Sequence, residues 1–206
     1  SAPSSLTYAN FSDTVGFEWH SAADAFGVEG LKAGLSASFD DSGSNSATTS
    51  VVESAYSIGV NYVTTQGDTT VTIGGGIEES EAANATGAGE DNATGYIVVK
   101  HGPIGVMYQE FYKNEANSAS AEGRDYEGDT WGVSFAQGDW AVSYVENSES
   151  KLAVSDASGG TTDMTAINFS YTMGAMAIKG GLFETTNPEF TTGKYEETEI
   201  AISFAF

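Results

Sequence analysis

The chain closes on an almost unbroken alternation. Ile200, Ile202, Phe204 and Phe206 share one parity; Glu199, Ala201, Ser203 and Ala205 share the other. A period of two puts successive side chains on opposite faces of a strand. The pattern recurs upstream. Near 13–20, Val15, Phe17 and Trp19 alternate with Gly16, Glu18 and His20. Near 30–40, Leu31 to Phe39 alternate with Lys32, Gly34, Ser36, Ser38 and Asp40. Further segments follow near 54–63, 69–79, 93–101, 104–113, 129–136, 139–147, 162–173 and 175–184. With the C-terminal segment, about eleven strands are predicted. Those near 93–101 and 104–113 are apolar on both faces, as expected of strands packed on something bulkier than lipid, such as a partner subunit or an inward loop.

The connections alternate in length. Gln66-Gly67-Asp68, Gly102-Pro103, Gln137-Gly138-Asp139 and Gly174-Ala175 carry tight-hairpin chemistry. Between them lie long polar segments at about 41–53, 81–92, 114–127, 148–161 and 185–193. Short turn and long loop in strict succession predict an all-β, antiparallel, up-and-down barrel with the long loops at one end. No helical periodicity interrupts it, so residues 1–206 read as one domain.

Composition then narrows the reading. The 29 acidic and 7 basic residues give a net charge of -22. That excludes nucleic acid as a partner, since phosphate binding needs Lys and Arg; it favours cations. Aromatics at 12% exclude a disordered acidic tail. Cysteine is absent, which removes disulfides, thiolate metal sites and Cys nucleophiles. No apolar run approaches the roughly 20 residues of a membrane helix, but a barrel strand needs only about 9–11.

Periodicity alone leaves open which face is inside. A soluble lipocalin-like barrel for an apolar ligand would turn the apolar face inward. A membrane barrel would turn it outward. The polar face is mostly Gly, Ala, Ser, Thr and Asn, whereas a soluble surface carries dense Lys and Glu. Trp19, Phe39, Tyr62, Trp131, Trp140 and Phe206 stand near strand ends, like the aromatic girdles of membrane barrels. The acids are expected in the long loops.

These segments resemble the general diffusion porins of Gram-negative outer membranes. The residues carrying the resemblance are 54–62, the pair around Trp131-Gly132-Val133 and Trp140-Ala141-Val142, and the ending Ile200 to Phe206. The resemblance implies a water-filled channel for passive diffusion of small hydrophilic solutes and ions. It also implies a homotrimer among lipid and lipopolysaccharide, no enzymatic activity, and an assembly signal in Ile200, Ile202, Phe204 and Phe206. Porins of this kind have sixteen strands, so an eleven-strand count implies the C-terminal portion of one. Residues 1–12 would then end the constriction loop, and 13–206 would supply barrel strands. The rival is a complete twelve-stranded barrel using Leu6 and Tyr8. A structural or adhesive surface barrel is the third reading.

Alternation nominates Glu18, His20, Lys32, Asp40, Glu78, Lys100 and Lys179 for the inner face. The resemblance implies that such charges line the pore and set up a field across it. Glu18, His20 and Lys32 stand on neighbouring strands and are expected to cluster. His20 and His101 are the only histidines, and neither sits in a nucleophile motif. No cofactor is expected, with calcium left open: Glu122, Asp125, Glu127 and Asp129 are the densest oxygen donors, though without EF-hand spacing.

Overall fold

The computed structural model describes residues 15–39, 52–82, 90–115, 124–152 and 160–204. Asp40, Glu122, Phe206 and the whole of 1–12, which the sequence reading used, lie outside them. Eleven strands appear in chain order: β1 (Val15–His20), β2 (Leu31–Phe39), β3 (Val52–Gln66), β4 (Thr69–Ala82), β5 (Glu90–His101), β6 (Ile104–Glu115), β7 (Arg124–Gln137), β8 (Trp140–Leu152), β9 (Gly160–Met173), β10 (Met176–Thr186) and β11 (Lys194–Phe204). They form one antiparallel sheet in which every strand pairs with its sequence neighbours. Among the described residues β1 and β11 are its two edges and do not pair with each other.

The four predicted hairpins form as expected. In each, the first turn residue (Gly67, Gly102, Gly138 or Gly174) has φ between 54° and 59°. Asp68, Asp139 and Ala175 are not in that region, which matches the II′ pattern whose right-handed twist suits flanking strands. The β1–β2 connection is more constrained. Gly30 has φ +80°, its N–H donates to Asp24 Oδ1 at 2.7 Å, and its carbonyl accepts from the Val63 N–H at 3.0 Å. A Cβ on Gly30 would collide with the Val63 carbonyl. Gly30→Ala is therefore expected to cost at least about 1–2 kcal/mol from the left-handed conformation alone, measured as a fall in unfolding midpoint.

Register fixes the faces. On one, Val106 of β6, Val133 of β7 and Tyr144 of β8 stand side by side, as do Ile104, Phe135 and Val142. The same face carries Ile58, Ile73, Ile97, Phe169, Ile178 and Ile202. These side chains are bare: Val133 is 42% exposed, Trp140 49%, Ile202 58% and Ile200 67%. Among the described residues the only buried apolar side chain is Ala55, beside the buried Ser36 and Ser38 on the opposite face. The described residues form no apolar core. The small polar face is the sheltered, concave one, and the bulky apolar face is convex and open. A lipocalin-like arrangement requires the reverse.

The convex apolar band is bounded at both ends by aromatics. Towards the turns, Phe135 and Trp140 have ring centroids 5.5 Å apart; towards the loops, Trp131 and Tyr144 are 5.3 Å apart. At that loop-side edge tyrosine hydroxyls reach carboxylates: Tyr108 donates to Glu110 at 2.7 Å, Tyr144 to Glu146 at 3.0 Å, and Tyr56 to Glu79. A tyrosine with its ring in the apolar band and its hydroxyl in the polar zone suits a membrane interface.

Several strands run well past the apolar band. β7 begins at Arg124 rather than near 129, and β8 continues to Leu152 rather than stopping near 147. Many acids assigned to loops are thus strand residues. Asp125, Glu127 and Asp129 belong to β7, on its convex face above Trp131.

Candidate functional site

The concave face is the candidate site. Its side chains follow from the same register: Lys32 opposite Asn61, Asn61 opposite Gly74, Gly74 opposite Tyr96, Tyr96 opposite Gln109, Gln109 opposite Thr130, and Thr130 opposite Asn147. Hydrogen bonds tie this row together. Asn61 Nδ2 donates to Tyr96 Oη at 2.7 Å, and Asn147 Nδ2 donates to Thr130 Oγ1 at 2.7 Å. Gln109 Nε2 donates to Thr94 Oγ1 at 2.9 Å in the adjoining row. Polar groups on a solvated wall stay pinned to it only when paired in this way.

Glycines let bulky side chains lie flat on the wall. The Tyr96 ring passes over Gly74, where a Cβ would meet it, and so reaches Asn61 two strands away. Phe111 lies over Gly128 in the same manner. The apolar inner residues of β5 and β6 therefore pack against neighbouring strands. Val98, Met107 and Val145 share a shallow hollow with Gly105 and Gly132. Those contacts occupy inner apolar side chains of β5 and β6, the two strands apolar on both faces.

The register places Glu18, His20, Lys32, Glu78, Lys100 and Lys179 on the concave face. His20 and Lys32 converge on one hollow of about 170 Å³, lined also by Ser57, Asn61 and Tyr96. Glu18 Oε1 lies 2.5 Å from His20 Nε2, which brings the predicted trio together. Lys100 and Lys179 stand on other parts of the wall, on β5 and β10. His101 is on the convex face at a turn, its Nδ1 2.8 Å from Thr69 Oγ1.

Sequence reasoning missed further charges on this face: Glu90, Lys113, Glu149, Lys151, Glu197 and Glu199. The signal was available, because each continues the parity of its strand past the last apolar residue. Of the calcium candidates, Glu122 lies outside the described residues and the other three are residues of β7. Asp125, Glu127 and Asp129 follow one another at strand spacing, roughly 6–7 Å apart. Among the described residues no three acidic or histidine groups are placed to hold a metal ion.

Compared with solved structures, the chain resembles a structure of porin refined at 1.8 Å resolution, with a TM-score of 0.69 over 97% of this chain. The fold is porin-like. Sequence identity is 14%, and this chain spans 64% of that porin's length. No protein-family model matches the chain, and no curated protein matches it. The porin-like fold gives the two faces their meaning: a convex apolar surface and a concave wall that is small, polar and sparsely charged.

Proposed function

We propose that this chain forms the wall of a water-filled outer-membrane channel through which small hydrophilic solutes and ions diffuse passively. One observation carries the reading: the register turns the long apolar rows outward and leaves a wall mainly of Ser, Thr, Asn, Gly and isolated charges inside, on which Tyr96, Met107 and Phe111 lie against neighbouring strands. Lipid satisfies the first face and water the second. A plugged structural or adhesive barrel fits less well, because the inner residues are too small to support packed filling. The edges of β1 and β11 need strand partners from outside the described residues, since bare sheet edges are not tolerated in lipid. A trimer surrounded by lipid and lipopolysaccharide accords with the porin-like fold.

Cation preference belongs to the same proposal. Among the described residues most carboxylates stand towards the loop end, where Glu79, Asp91, Glu110, Asp129, Glu146 and Asp163 follow the convex rim from β4 to β9. Such a mouth raises the local cation concentration. Reconstitution of the full-length protein in planar bilayers is expected to give stepwise conductance. Under a KCl gradient the reversal potential should have the sign for K⁺ over Cl⁻. No conductance sinks the channel reading; anion selectivity sinks the cation preference alone.

A further inference from the structure

The hollow beside His20 and Lys32 arises where three strands set glycine against glycine. Gly34 of β2 stands opposite Gly59 of β3, and Gly59 opposite Gly76 of β4, all on the concave face. Without side chains along this row the wall sinks to its backbone, and the flanking rows become banks. The turn-side bank carries Lys32, Asn61 and the Tyr96 ring laid across Gly74. The loop-side bank carries Ser36 and Ser57, whose hydroxyl oxygens are 2.8 Å apart, and Glu78 opposite Ser57. His20, opposite Gly34, closes the β1 end.

These groups differ in what they have left to offer a solute. Glu18 lies on His20, and Ser36 and Ser57 share a hydrogen bond. Lys32 is exposed, and among the described residues it makes no ion pair or hydrogen bond. Tyr96 Oη accepts from Asn61 and keeps its own proton to donate. The Tyr96 ring is half-buried, one face on Gly74 and the other turned to the lumen. Charge and size then decide the class of solute. An anion is repelled by Glu18 and Glu78 and a cation by Lys32, so the hollow as a whole serves neither sign. Its volume of about 170 Å³ holds about five or six waters, taking ~30 Å³ for each. That is the space of one sugar ring. A pyranose brings a flat C–H face, which the electron-rich face of an aromatic ring attracts. Its edge hydroxyls accept from Lys32 and donate to carboxylate or hydroxyl oxygens.

We infer that this hollow is a binding subsite for a neutral monosaccharide, with Tyr96 as the stacking platform and Lys32 and Asn61 as hydrogen-bonding groups at the edge of the sugar ring. This names a solute class for the channel reading above and rests on it, because sugar reaches the hollow only from a wet lumen. The few polar groups and single ring make a weak, quickly exchanging site, which suits a solute that must leave as readily as it enters.

Saturation-transfer NMR on the full-length protein in lipid nanodiscs tests this with D-glucose and with sorbitol, which carries the hydroxyls without the ring face. Glucose is expected to receive saturation from the protein, most strongly on the C–H protons of one ring face, with half-saturation at about 1–10 mM. Sorbitol should receive none. Y96L should weaken glucose binding about tenfold and K32Q about threefold. K194Q, which removes a lysine held by Glu184 and Glu196 on the convex rim, should bind glucose as the parent does. The comparison of glucose with sorbitol uses the parent alone, so a misfolded Y96L does not rescue the idea. Equal signals from the two solutes, or none from glucose, overturn the subsite. Glucose binding unchanged in both Y96L and K32Q overturns its placement in this hollow. Planar-bilayer conductance reads the channel separately. A conducting protein that binds no glucose keeps the channel reading and loses the subsite; absence of any conductance removes the channel reading and this inference with it.

Discussion

Val133→Arg is expected to prevent stable insertion, whereas Ser134→Arg, one residue along the same strand, should insert and narrow the pore. Val133 stands in the middle of the convex band, between Val106 and Tyr144 on the flanking strands. An Arg at the bilayer midplane of a barrel costs about 2–4 kcal/mol on the lipid face. Ser134 lies on the concave face beside Gly105, where a guanidinium remains hydrated. The comparison is made by urea titration of both variants folded into lipid vesicles, followed by conductance of whichever inserts. Equal tolerance at the two positions, or the reverse order, would mean that the faces are assigned the wrong way round.

Gly128→Val should be the most damaging substitution on the inner wall. A Cβ there would lie 2.5 Å from the Ser148 carbonyl oxygen and 2.5 Å from Phe111 Cζ. The ring must leave the wall and the β7–β8 backbone must shift, an overpacking cost of about 1–3 kcal/mol. Gly95 is the control: a Cβ there meets nothing within 4 Å, so Gly95→Ala is expected to stay within about 0.5 kcal/mol of the parent. Displacing Phe111 into the lumen should also lower single-channel conductance, which the Gly95 change should leave alone. If both variants unfold at the parent's urea concentration, the ring does not depend on Gly128 for its place.

The architecture was readable from the sequence wherever one parity was apolar. Val133, Phe135, Val142 and Tyr144 announce two strands and their register because the convex face is an unbroken row of such residues. The upper reaches of the same strands carry no such demand. From Arg124 to Asp129 only Tyr126 is bulky and it stands alone on its parity, and Glu146 to Ser150 is polar throughout. Main-chain pairing holds them, as where Asp129 faces Ser148, and that leaves no period in the side chains. The acids were consequently placed in loops when many stand on strands. The inner charges Glu18, His20 and Lys32 were legible because β1 and β2 are regular and adjacent. Tyr96 reaching across Gly74 to Asn61 was not, since it depends on three strands being laid side by side.

The extension of β7 and β8 beyond the apolar band bears on what can be exchanged. Carboxylates such as Asp129 and Glu146 hang from a continuous hydrogen-bonded lattice, so their spacing is a property of the sheet. Replacing the segments between β6 and β7 and between β8 and β9, by grafting or by natural divergence, would leave the carboxylates of the extended strands in register.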